Sequence, residues 1–279
     1  MAGRVIVVGT GTMGAGIAVL AASFGYDVVA VDRPEFLEAA KERVRGMVDA
    51  EAARGRMSDA GREETLGRIR IAPDFEDALP AKVLIEAVPE VADLKTGVFR
   101  HVPNGAVEIL ATNTSSLSVS GLARKAPDPT SFVGIHFFNP PVRMQLVEIV
   151  PGDRTSKETV EAATSFVRSL SRTPVMAADT PGFIVNRVAR PFYIEALRML
   201  GDGVASFEAI DRCLEGRGFR MGPFRLMDLV GIDVNLAVST SVYEQLMEEP
   251  RLRPHPVQRQ MVEAGRLGRK TKRGFYTYG

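Results

Sequence analysis

The chain has 279 residues, of which 45% are hydrophobic and 25% charged, and its 35 basic and 34 acidic residues nearly cancel to a net charge of +1. This is the composition of a globular protein, and the charge balance excludes a general attraction to nucleic acid or to an anionic membrane. A single cysteine excludes a disulfide framework, and no apolar run approaches the roughly 20 residues that span a bilayer, so we expect a cytoplasmic protein.

The first part of the chain predicts a strand, a glycine loop, a helix and a second strand. The run VIVV at residues 5–8 is apolar and β-branched, which is typical of a buried parallel strand. The loop GTGTMG follows, then AGIAVLAASFG has helical spacing and ends at Gly25, a candidate C-cap, and YDVVAVD forms the next strand. This succession predicts a βαβ unit.

The loop GTGTMG has the G-x-G-x-x-G spacing of a dinucleotide-binding turn. Gly9 permits the turn off the strand, Gly11 lets the backbone approach a pyrophosphate, and Gly14 lets the helix pack on the strand. Thr12 and Met13 stand at the helix start, where unpaired amides attract phosphate, so we include them among the cofactor contacts. The alternative is a glycine-rich turn of an unrelated α/β fold.

Asp32 ends the second strand, where a carboxylate accepts hydrogen bonds from the adenosine ribose and repels a 2′-phosphate. We therefore expect the cofactor to be NAD rather than NADP. The adjacent Arg33 opposes this preference, because an arginine there can pair with a 2′-phosphate. The alternative for Asp32 is a helix-start residue before Pro34.

Helices and strands alternate through the next part of the chain. Residues 34–68 are charged and alanine-rich and predict two helices divided near Gly55, the second of them capped by Ser58. Periodicity predicts further strands at AKVLIEAV, VEILATNT, SFVGIHFF, MQLVEIV and TPVMA, and helices at DLKTGVFRHV and SKETVEAATSFVRSL.

The pattern changes near residue 180. Beyond Pro181 helical runs cover about 182–200, 206–215, 225–247 and 254–264, with no good strand until the last few residues. We predict an α/β fold, in which a Rossmann-type doubly wound sheet (residues 1–180) is followed by an all-helical C-terminal domain (residues 181–279). Cys213 lies at helical spacing and is interpreted as core or boundary packing rather than as a nucleophile.

One of the three histidines is a candidate catalytic residue. His136 follows the buried run FVGI and stands near the carboxyl end of a strand, where doubly wound sheets bind their ligands. Glu148 lies between apolar neighbours in QLVEIV, where a carboxylate is costly unless it is paired. An imidazole partner would stabilise it and fix the tautomer of the histidine. The alternative is a satisfied core histidine and an edge-strand glutamate, and we interpret His101 and His255 as surface or capping residues.

Eight segments follow one another through nearly the whole chain: VVGTGTMGAGIA, LIEAVPE, ATNTSSLS, GIHFFNPP, QLVEIV, TPGFIVNR, GPFRLMDLVGID and EAGRLGRKTKRGFYTY. In this order they resemble the 3-hydroxyacyl-CoA dehydrogenases of the 3-hydroxybutyryl-CoA dehydrogenase type. The resemblance implies an NAD-dependent enzyme that interconverts short-chain L-3-hydroxyacyl-CoA, such as 3-hydroxybutyryl-CoA, and 3-ketoacyl-CoA. It also implies an NAD-binding Rossmann domain, a helical substrate and dimerisation domain, and a homodimer.

The resemblance assigns roles to single residues. The family's catalytic histidine falls on His136 and its orienting glutamate on Glu148. The serine that hydrogen-bonds the substrate oxygen falls on Ser115, and the asparagine that helps to hold the thioester falls on Asn186. Asn139 is expected to shape the substrate pocket around His136.

The resemblance also extends to the cofactor side and shows three departures. The implied cofactor contacts outside the glycine loop are Asp32, Glu90, Lys95, Asn113 and Lys270. In segment 34–56, where the family grips CoA, the nearest matches are Met47 and Arg54, with Arg56 close by, and Arg54 is the predicted contact because arginine binds phosphate well. The loop before Asn113 is shorter than usual, and residues 270–272 read KTK where the family has KTG.

Two other functions compete with this assignment. In the first alternative, the same chemistry acts on a 3-hydroxyacyl group carried by an acyl carrier protein, or on a hydroxy acid without CoA. A non-catalytic NAD-binding or structural protein is the other alternative, and the presence of His136, Glu148 and Ser115 counts against it. We expect an acyl-CoA substrate and a second copy of the chain as partners, no nucleic acid, no membrane and no metal.

Overall fold

The computed structural model describes residues 3–279. These residues fall into two compact units, which meet in sequence between Thr180 and Pro181. Each unit has a hydrophobic core of its own. The first unit alternates strands and helices, whereas the second is built from helices.

A single sheet forms the centre of the first unit. Over residues 3–180 its eight strands are β1 Arg4–Val8, β2 Asp27–Val31, β3 Ile69–Ala72, β4 Ala81–Glu86, β5 Val107–Thr112, β6 Phe132–Phe137, β7 Leu146–Pro151 and β8 Thr173–Met176. They lie in the order β3-β2-β1-β4-β5-β6-β7-β8, and neighbours are parallel except for the antiparallel pair β6–β7. The order reverses between β1 and β4, which is where sheets of this kind bind ligands.

Helices cover the sheet. In the first unit they are α1 Thr12–Ser23, α2 Leu37–Ala52, α3 Asp59–Gly67, α4 Ala92–Arg100, α5 Val119–Ala123 and α6 Lys157–Ser169. Gly25 has a φ of +86° just beyond the end of α1, and the Ser58 hydroxyl caps α3 by accepting from the Gly61 amide. The predicted fold class and both predicted helix boundaries are therefore confirmed.

The core of the first unit explains the apolar runs of its sequence. Residues 5–7 of β1 and most of α1 are buried, because β1 is an inner strand and α1 packs on the sheet and against α2 and α3. Two short elements, β3 and α5, are missing from the sequence prediction. The β3 segment IRIA carries an exposed arginine at the edge of the sheet, so it lacks the continuous apolar run of the inner strands.

The second unit contains, within residues 181–279, the helices α7 Val185–Gly201, α8 Phe207–Glu215, α9 Pro223–Val230, α10 Ile232–Gln245 and α11 Pro256–Glu263. The predicted helix at 225–247 is wrong in one respect, since Gly231 with a φ of +105° divides it into α9 and α10.

No single helix of residues 3–279 is long and apolar enough to cross a membrane. The pair α9 and α10, bent by 101° relative to each other, meets that criterion only when the two helices are taken together.

Two buried carboxylates fasten the C-terminal segment to the second unit. Asp228 of α9 accepts the amides of Phe275 and Tyr276, at 3.0 and 2.9 Å. Asp211 of α8 accepts the Phe224 amide at 3.0 Å and the Tyr276 hydroxyl at 2.9 Å. Because each carboxylate satisfies several donors, both can remain buried.

The interpretation of Cys213 as core or boundary packing is wrong. Its side chain is exposed on α8. The buried face of that helix is centred on Ile210 and Asp211, and Cys213 lies away from it.

His101 and His255 are placed as expected, since His101 follows the end of α4 and His255 caps α11 by accepting the Val257 amide.

Candidate active site

Residues from distant parts of the sequence meet at one edge of the sheet. The carboxyl ends of β1, β4, β5 and β6 share this edge because the four strands are parallel. The glycine loop follows β1, while Glu86 ends β4, Thr112 ends β5 and His136 is next to last in β6. The antiparallel strand β7 brings Glu148 into register with His136.

The glycine loop is shaped both by packing and by open space. Gly9 has a φ of +95°, and a Cβ there would lie 2.7 Å from the carbonyl carbon of Ala87. A Cβ at Gly14 would overlap the carbonyl oxygen of Gly9, so neither position accepts a side chain. Apart from its two neighbours in the chain, no described residue has an atom within 4 Å of a Cβ built at Gly11. That opening is what a pyrophosphate needs to approach the backbone, so the loop fits a dinucleotide.

The start of α1 offers a place for an anion. Thr12 and Met13 form its first turn, where the amides have no intrahelical acceptor and carry a partial positive charge. Further along the same helix, a Cβ at Gly16 would lie 2.8 Å from Cδ of Pro141. The HFFNPP loop therefore packs directly on the helix that carries the glycine loop.

Asp32 is held ionised at the end of β2. Its Oδ2 accepts the Thr10 hydroxyl at 2.6 Å and the Thr10 amide at 2.8 Å, and its Oδ1 accepts the Arg33 amide at 2.9 Å. Burial alone would raise the pKa of Asp32, but these hydrogen bonds hold it below its ordinary value. The Arg33 guanidinium lies 3.2 Å from Glu35 and stacks on the ring of Phe36, and it remains exposed to solvent.

His136 and Glu148 form a buried pair. The Nδ1 atom of His136 lies 2.6 Å from Oε2 of Glu148, and the two side chains are only 7% and 1% exposed. The ring of Phe138 meets the imidazole edge to face, with 4.6 Å between the ring centroids. A carboxylate on Nδ1 fixes the orientation and the tautomer of the imidazole, which suits a group that exchanges protons.

Asn113 links the ends of three neighbouring strands. Its backbone amide donates to the backbone carbonyl oxygen of Glu86 at 2.8 Å. Its side-chain Oδ1 accepts the amide of Phe137, the residue after His136, at 2.9 Å. The segment after β5 is therefore held at a set distance from the histidine.

Glu90 holds the loop that carries Ser115. Its Oε1 accepts the amides of Ser115 and Ser116, both at 2.9 Å, and the Thr114 hydroxyl at 2.6 Å. The Ser115 hydroxyl itself lies 3.4 Å from this oxygen. Burial alone would raise the pKa of Glu90, but the charge of Lys95 and the loop's hydrogen bonds lower it, so the carboxylate stays ionised. The TNTSS segment is thus an ordered wall of the site.

Lys95 is enclosed by acceptors. Its Nζ lies 2.8 Å from Oε1 of Glu86, 3.2 Å from the carbonyl oxygen of Val88 and 3.1 Å from Oε2 of Glu90. These contacts use all three of its hydrogens, and its side chain is 1% exposed. A direct contact with the cofactor would require one of these bonds to break, so the implied contact stays a prediction.

Two other predicted residues belong to the second unit. Asn186 is half-buried in the first turn of α7, and its backbone carbonyl accepts Nε of Arg190 at 3.0 Å. The Nζ of Lys270 lies 2.6 Å from Oδ2 of Asp233 and remains partly exposed. Their contacts with substrate and cofactor stay predictions.

The predicted substrate contacts in the first unit are open to solvent. Asn139 is exposed just beyond β6. Arg54 follows α2, with its Nη1 2.8 Å from the Ala50 carbonyl oxygen and 3.6 Å from Oε1 of Glu51. Met47, the other match in this segment, packs against a small apolar cluster. The guanidinium of Arg54 is therefore accessible to a phosphate.

Sequence reasoning missed two residues at this edge. Arg43 of α2 donates to the carbonyl oxygen of Thr10 at 2.6 Å and so supports the glycine loop. Glu86 is fully buried and joins Lys95 to the end of β5. The rule that singled out Glu148, a carboxylate in an apolar strand, also applies to Glu86 in LIEAV. Within residues 3–279 no group of three His, Cys, Asp or Glu side chains is placed to hold a metal ion.

Comparison with known proteins extends over both units. Residues 4–180 match the family described as 3-hydroxyacyl-CoA dehydrogenase, NAD binding domain, and residues 182–278 match its C-terminal domain. The chain is 39% identical over 279 residues to the probable 3-hydroxybutyryl-CoA dehydrogenase of Deinococcus radiodurans, and the match covers 98% of this chain and 99% of that protein. The solved structure of (S)-3-hydroxybutyryl-CoA dehydrogenase from Ralstonia eutropha superposes with a TM-score of 0.90 at 37% identity, covering 99% of both chains.

A longer relative is also similar. The chain is 41% identical over 278 residues to the 3-hydroxyadipyl-CoA dehydrogenase of Escherichia coli K12, and the match covers 98% of this chain but 58% of that protein. Together the two family matches extend over residues 4–180 and 182–278, which is nearly the whole chain. The chain therefore belongs to the NAD-dependent 3-hydroxyacyl-CoA dehydrogenase family.

Proposed function

We propose that this protein interconverts short-chain L-3-hydroxyacyl-CoA and 3-ketoacyl-CoA, with His136 as the general acid and base. One observation carries the proposal: the buried contact of 2.6 Å between Nδ1 of His136 and Oε2 of Glu148, at the carboxyl edge of a dinucleotide-binding sheet. The similarity to enzymes named for 3-hydroxybutyryl-CoA supports the short-chain substrate.

The roles of the pair follow from its geometry. Glu148 occupies Nδ1, so proton exchange with the substrate falls to Nε2 of His136. During oxidation, Nε2 accepts the proton of the 3-hydroxyl group, and Glu148 stabilises the imidazolium that forms. During reduction, the same proton returns to the carbonyl oxygen. Phe138, which packs on the imidazole, limits the access of water to it.

The residues that hold the reactants are also part of the proposal. NAD, when bound, supplies the acceptor for the hydride that leaves the substrate carbon. Gly11 and the first turn of α1 would hold its pyrophosphate, and Asp32 its adenosine ribose. The cofactor roles of Glu90, Lys95, Asn113 and Lys270 remain predictions, and Lys95 acts through Glu90 in the geometry described above.

On the substrate side we assign four residues. The Ser115 hydroxyl both donates and accepts hydrogen bonds, so it suits an oxygen that alternates between alcohol and ketone. Asn186 is assigned to the thioester, Asn139 to the pocket around His136, and Arg54 to a phosphate of CoA. The partly exposed guanidinium of Arg54 supports the last assignment.

The decisive experiment follows the absorbance of NADH with acetoacetyl-CoA as substrate. Parallel reactions replace NADH by NADPH, and the CoA ester by a non-CoA acetoacetyl thioester. Rapid turnover with NADH and the CoA ester is the expected result. Binding of NADH without turnover of acetoacetyl-CoA would contradict the proposed substrate.

A second candidate keeps the chemistry and changes the carrier. Arg54 and Arg56 both lie close to Glu51, which satisfies part of their charge. Substrates on an acyl carrier protein, or free hydroxy acids, would place less demand on these arginines. Preferential turnover of acetoacetyl carrier protein in the same assay would favour this candidate.

The homodimer and the cytoplasmic location also belong to the proposal. Size-exclusion chromatography with light scattering measures the mass of the assembly directly. We expect twice the mass of the 30.3 kDa chain. Cell fractionation tests the location.

A further inference from the structure

A series of charged side chains connects the end of β4 to the loop that carries Ser115. Glu86 and Lys95 are fully buried, with 2.8 Å between Oε1 and Nζ. Lys95 in turn lies 3.1 Å from Oε2 of Glu90. Glu90 then binds the amide of Ser115 through its other oxygen. Three side chains, those of Glu86, Lys95 and Glu90, thus link an inner strand to the backbone of a proposed substrate contact.

Glu86 is fixed on both of its oxygens. Its Oε2 accepts the Thr112 hydroxyl at 2.7 Å, and its Oε1 accepts the Val88 amide at 2.7 Å in addition to Lys95. Burial raises the pKa of Glu86, while the charge of Lys95 and these donors oppose the rise. A carboxylate with every contact defined can hold the ammonium of Lys95 in one position.

Stability alone is a weak reason for this arrangement. Burying charged groups carries a desolvation cost that a well-placed ion pair roughly offsets, so apolar side chains of similar size often serve as well. Charged and hydrogen-bonded groups, unlike apolar side chains, fix the orientation of their partners, because each N–H points to one acceptor. Lys95 fixes the position of the Glu90 carboxylate, and Glu90 in turn accepts hydrogen bonds from two backbone amides of the loop.

We propose that Glu86 is a positioning residue for the reaction, which holds Lys95 so that Glu90 keeps the Ser115 hydroxyl in place for the substrate oxygen. This inference rests on the proposed function, because it takes Ser115 as the contact of the reacting oxygen. Glu86 itself touches neither substrate nor cofactor in this scheme.

The substitution Glu86→Gln tests the proposal with little change in shape. Loss of the negative charge loosens Lys95, and we expect kcat for acetoacetyl-CoA to fall about tenfold, since small misplacements of a reacting group are costly. The dissociation constant of NADH, measured by the fluorescence of the nucleotide, reports separately on Lys95 and Glu90 as cofactor contacts, and it should change less than kcat does. A parallel thermal melt reports whether the variant is folded.

A double-mutant cycle separates positioning from mere structural support. Ser115→Ala is combined with Glu86→Gln, and kcat is measured for the four proteins at high enzyme concentration. If Glu86 acts through the serine, the second substitution has little further effect in the Ser115→Ala background. A role in stability alone would lower the amount of folded enzyme equally in both backgrounds.

The matched control is Asp179→Asn. Asp179 accepts the amides of Val119 and Ser120 and the Ser118 hydroxyl, so it fastens the neighbouring part of the same segment. Its loss should lower the melting temperature without lowering kcat. Equal losses of kcat in Glu86→Gln and Asp179→Asn would overturn the proposal, because any loosening of the segment would then suffice.

Thr112→Val is the second variant should Glu86→Gln fail to fold. It removes the hydroxyl that donates to Glu86 and retains the shape of the side chain. We expect a threefold loss of kcat, about half the effect in free energy of the tenfold loss. Unchanged kcat, additive losses in the cycle, or a loss confined to NADH affinity would each refute the positioning role. Failure of the wild type to use acetoacetyl-CoA would instead refute the proposed function.

Discussion

At the scale of single residues, the candidate site contains ionisable side chains that are held by defined hydrogen-bond partners. His136 is paired with a carboxylate that is almost fully buried, and Asp32 is surrounded by donors from the glycine loop. The first arrangement fixes the orientation of the imidazole, and the second keeps a negative charge just after β2. Because we propose His136 for turnover and Asp32 for cofactor choice, the two roles can be tested separately.

Replacing His136 by Gln should abolish most of the turnover. Gln fills a similar volume but cannot exchange a proton, and general acid–base catalysis typically contributes about a hundredfold to ten-thousandfold. We expect kcat to fall within that range while the affinity for NADH stays unchanged. Steady-state kinetics and NADH fluorescence measure the two quantities. A variant that kept more than half of the wild-type rate would remove His136 from the role of base.

Asp32→Ser should weaken the discrimination between NADH and NADPH. Without the carboxylate, repulsion of a 2′-phosphate is lost, and Arg33 close by can then pair with it. The ratio of kcat/KM for NADH to that for NADPH should fall at least about tenfold, which corresponds to about 1.4 kcal/mol. An unchanged ratio would show that Asp32 does not read the ribose.

At the scale of helices and strands, backbone conformation decides where elements end. The apolar run of β1 and the spacing of α1 were sufficient to predict both elements, because each is almost entirely buried. The short edge strand β3 was not predicted, since its alternating exposure gives no continuous apolar run. The division between α9 and α10 also escaped prediction, because a glycine within a helical pattern does not reveal its φ angle.

Gly231→Ala tests that division. Its φ is +105°, and a Cβ would lie 2.9 Å from Oδ1 of Asp233, so the substitution strains the backbone and crowds a partly exposed carboxylate. We expect the free energy of unfolding to fall by about 1–3 kcal/mol. Urea denaturation provides the measurement.

Gly46→Ala is the matched control for this substitution. Gly46 lies in the interior of α2, where no described atom other than the nearby backbone of the helix and the adjacent residues is within 4 Å of the added Cβ. Alanine is the better helix former, so this variant should be more stable by about 0.5–1 kcal/mol. Destabilisation by both substitutions to the same degree would contradict the role given to the φ angle of Gly231.

At the scale of the whole molecule, stability depends on pH through buried carboxylates. Burial alone would raise the pKa of Glu51, but hydrogen bonds from Arg56 and Arg143 hold it below the ordinary value of 4.5. A carboxylate whose pKa is lower in the folded state stabilises the fold above its unfolded pKa, and this contribution disappears as the pH falls through the folded value. Glu51 therefore contributes at neutral pH and loses its contribution below pH 4.5.

The variant Glu51→Gln should show this dependence directly. Its urea midpoint is expected to lie below that of the wild type at neutral pH, and the two should converge as the pH falls below 4.5. The exposed Glu161→Gln controls for the loss of one negative charge. The difference in urea midpoint between wild type and Glu51→Gln could instead stay constant across this pH range. That result would exclude the ionised carboxylate as the source of the difference.

The sequence by itself determined the fold class, the dinucleotide loop and the candidate His136–Glu148 pair. These features depend on apolar period, on glycine spacing and on the cost of a charge in a buried strand, all of which are local properties. The tertiary structure alone decided that Glu86, Lys95 and Glu90 form a connected series, that Arg43 supports the glycine loop, and that α9 and α10 are separate. Each of these depends on strand order, helix docking or a single backbone angle, which bring together residues that no local pattern relates.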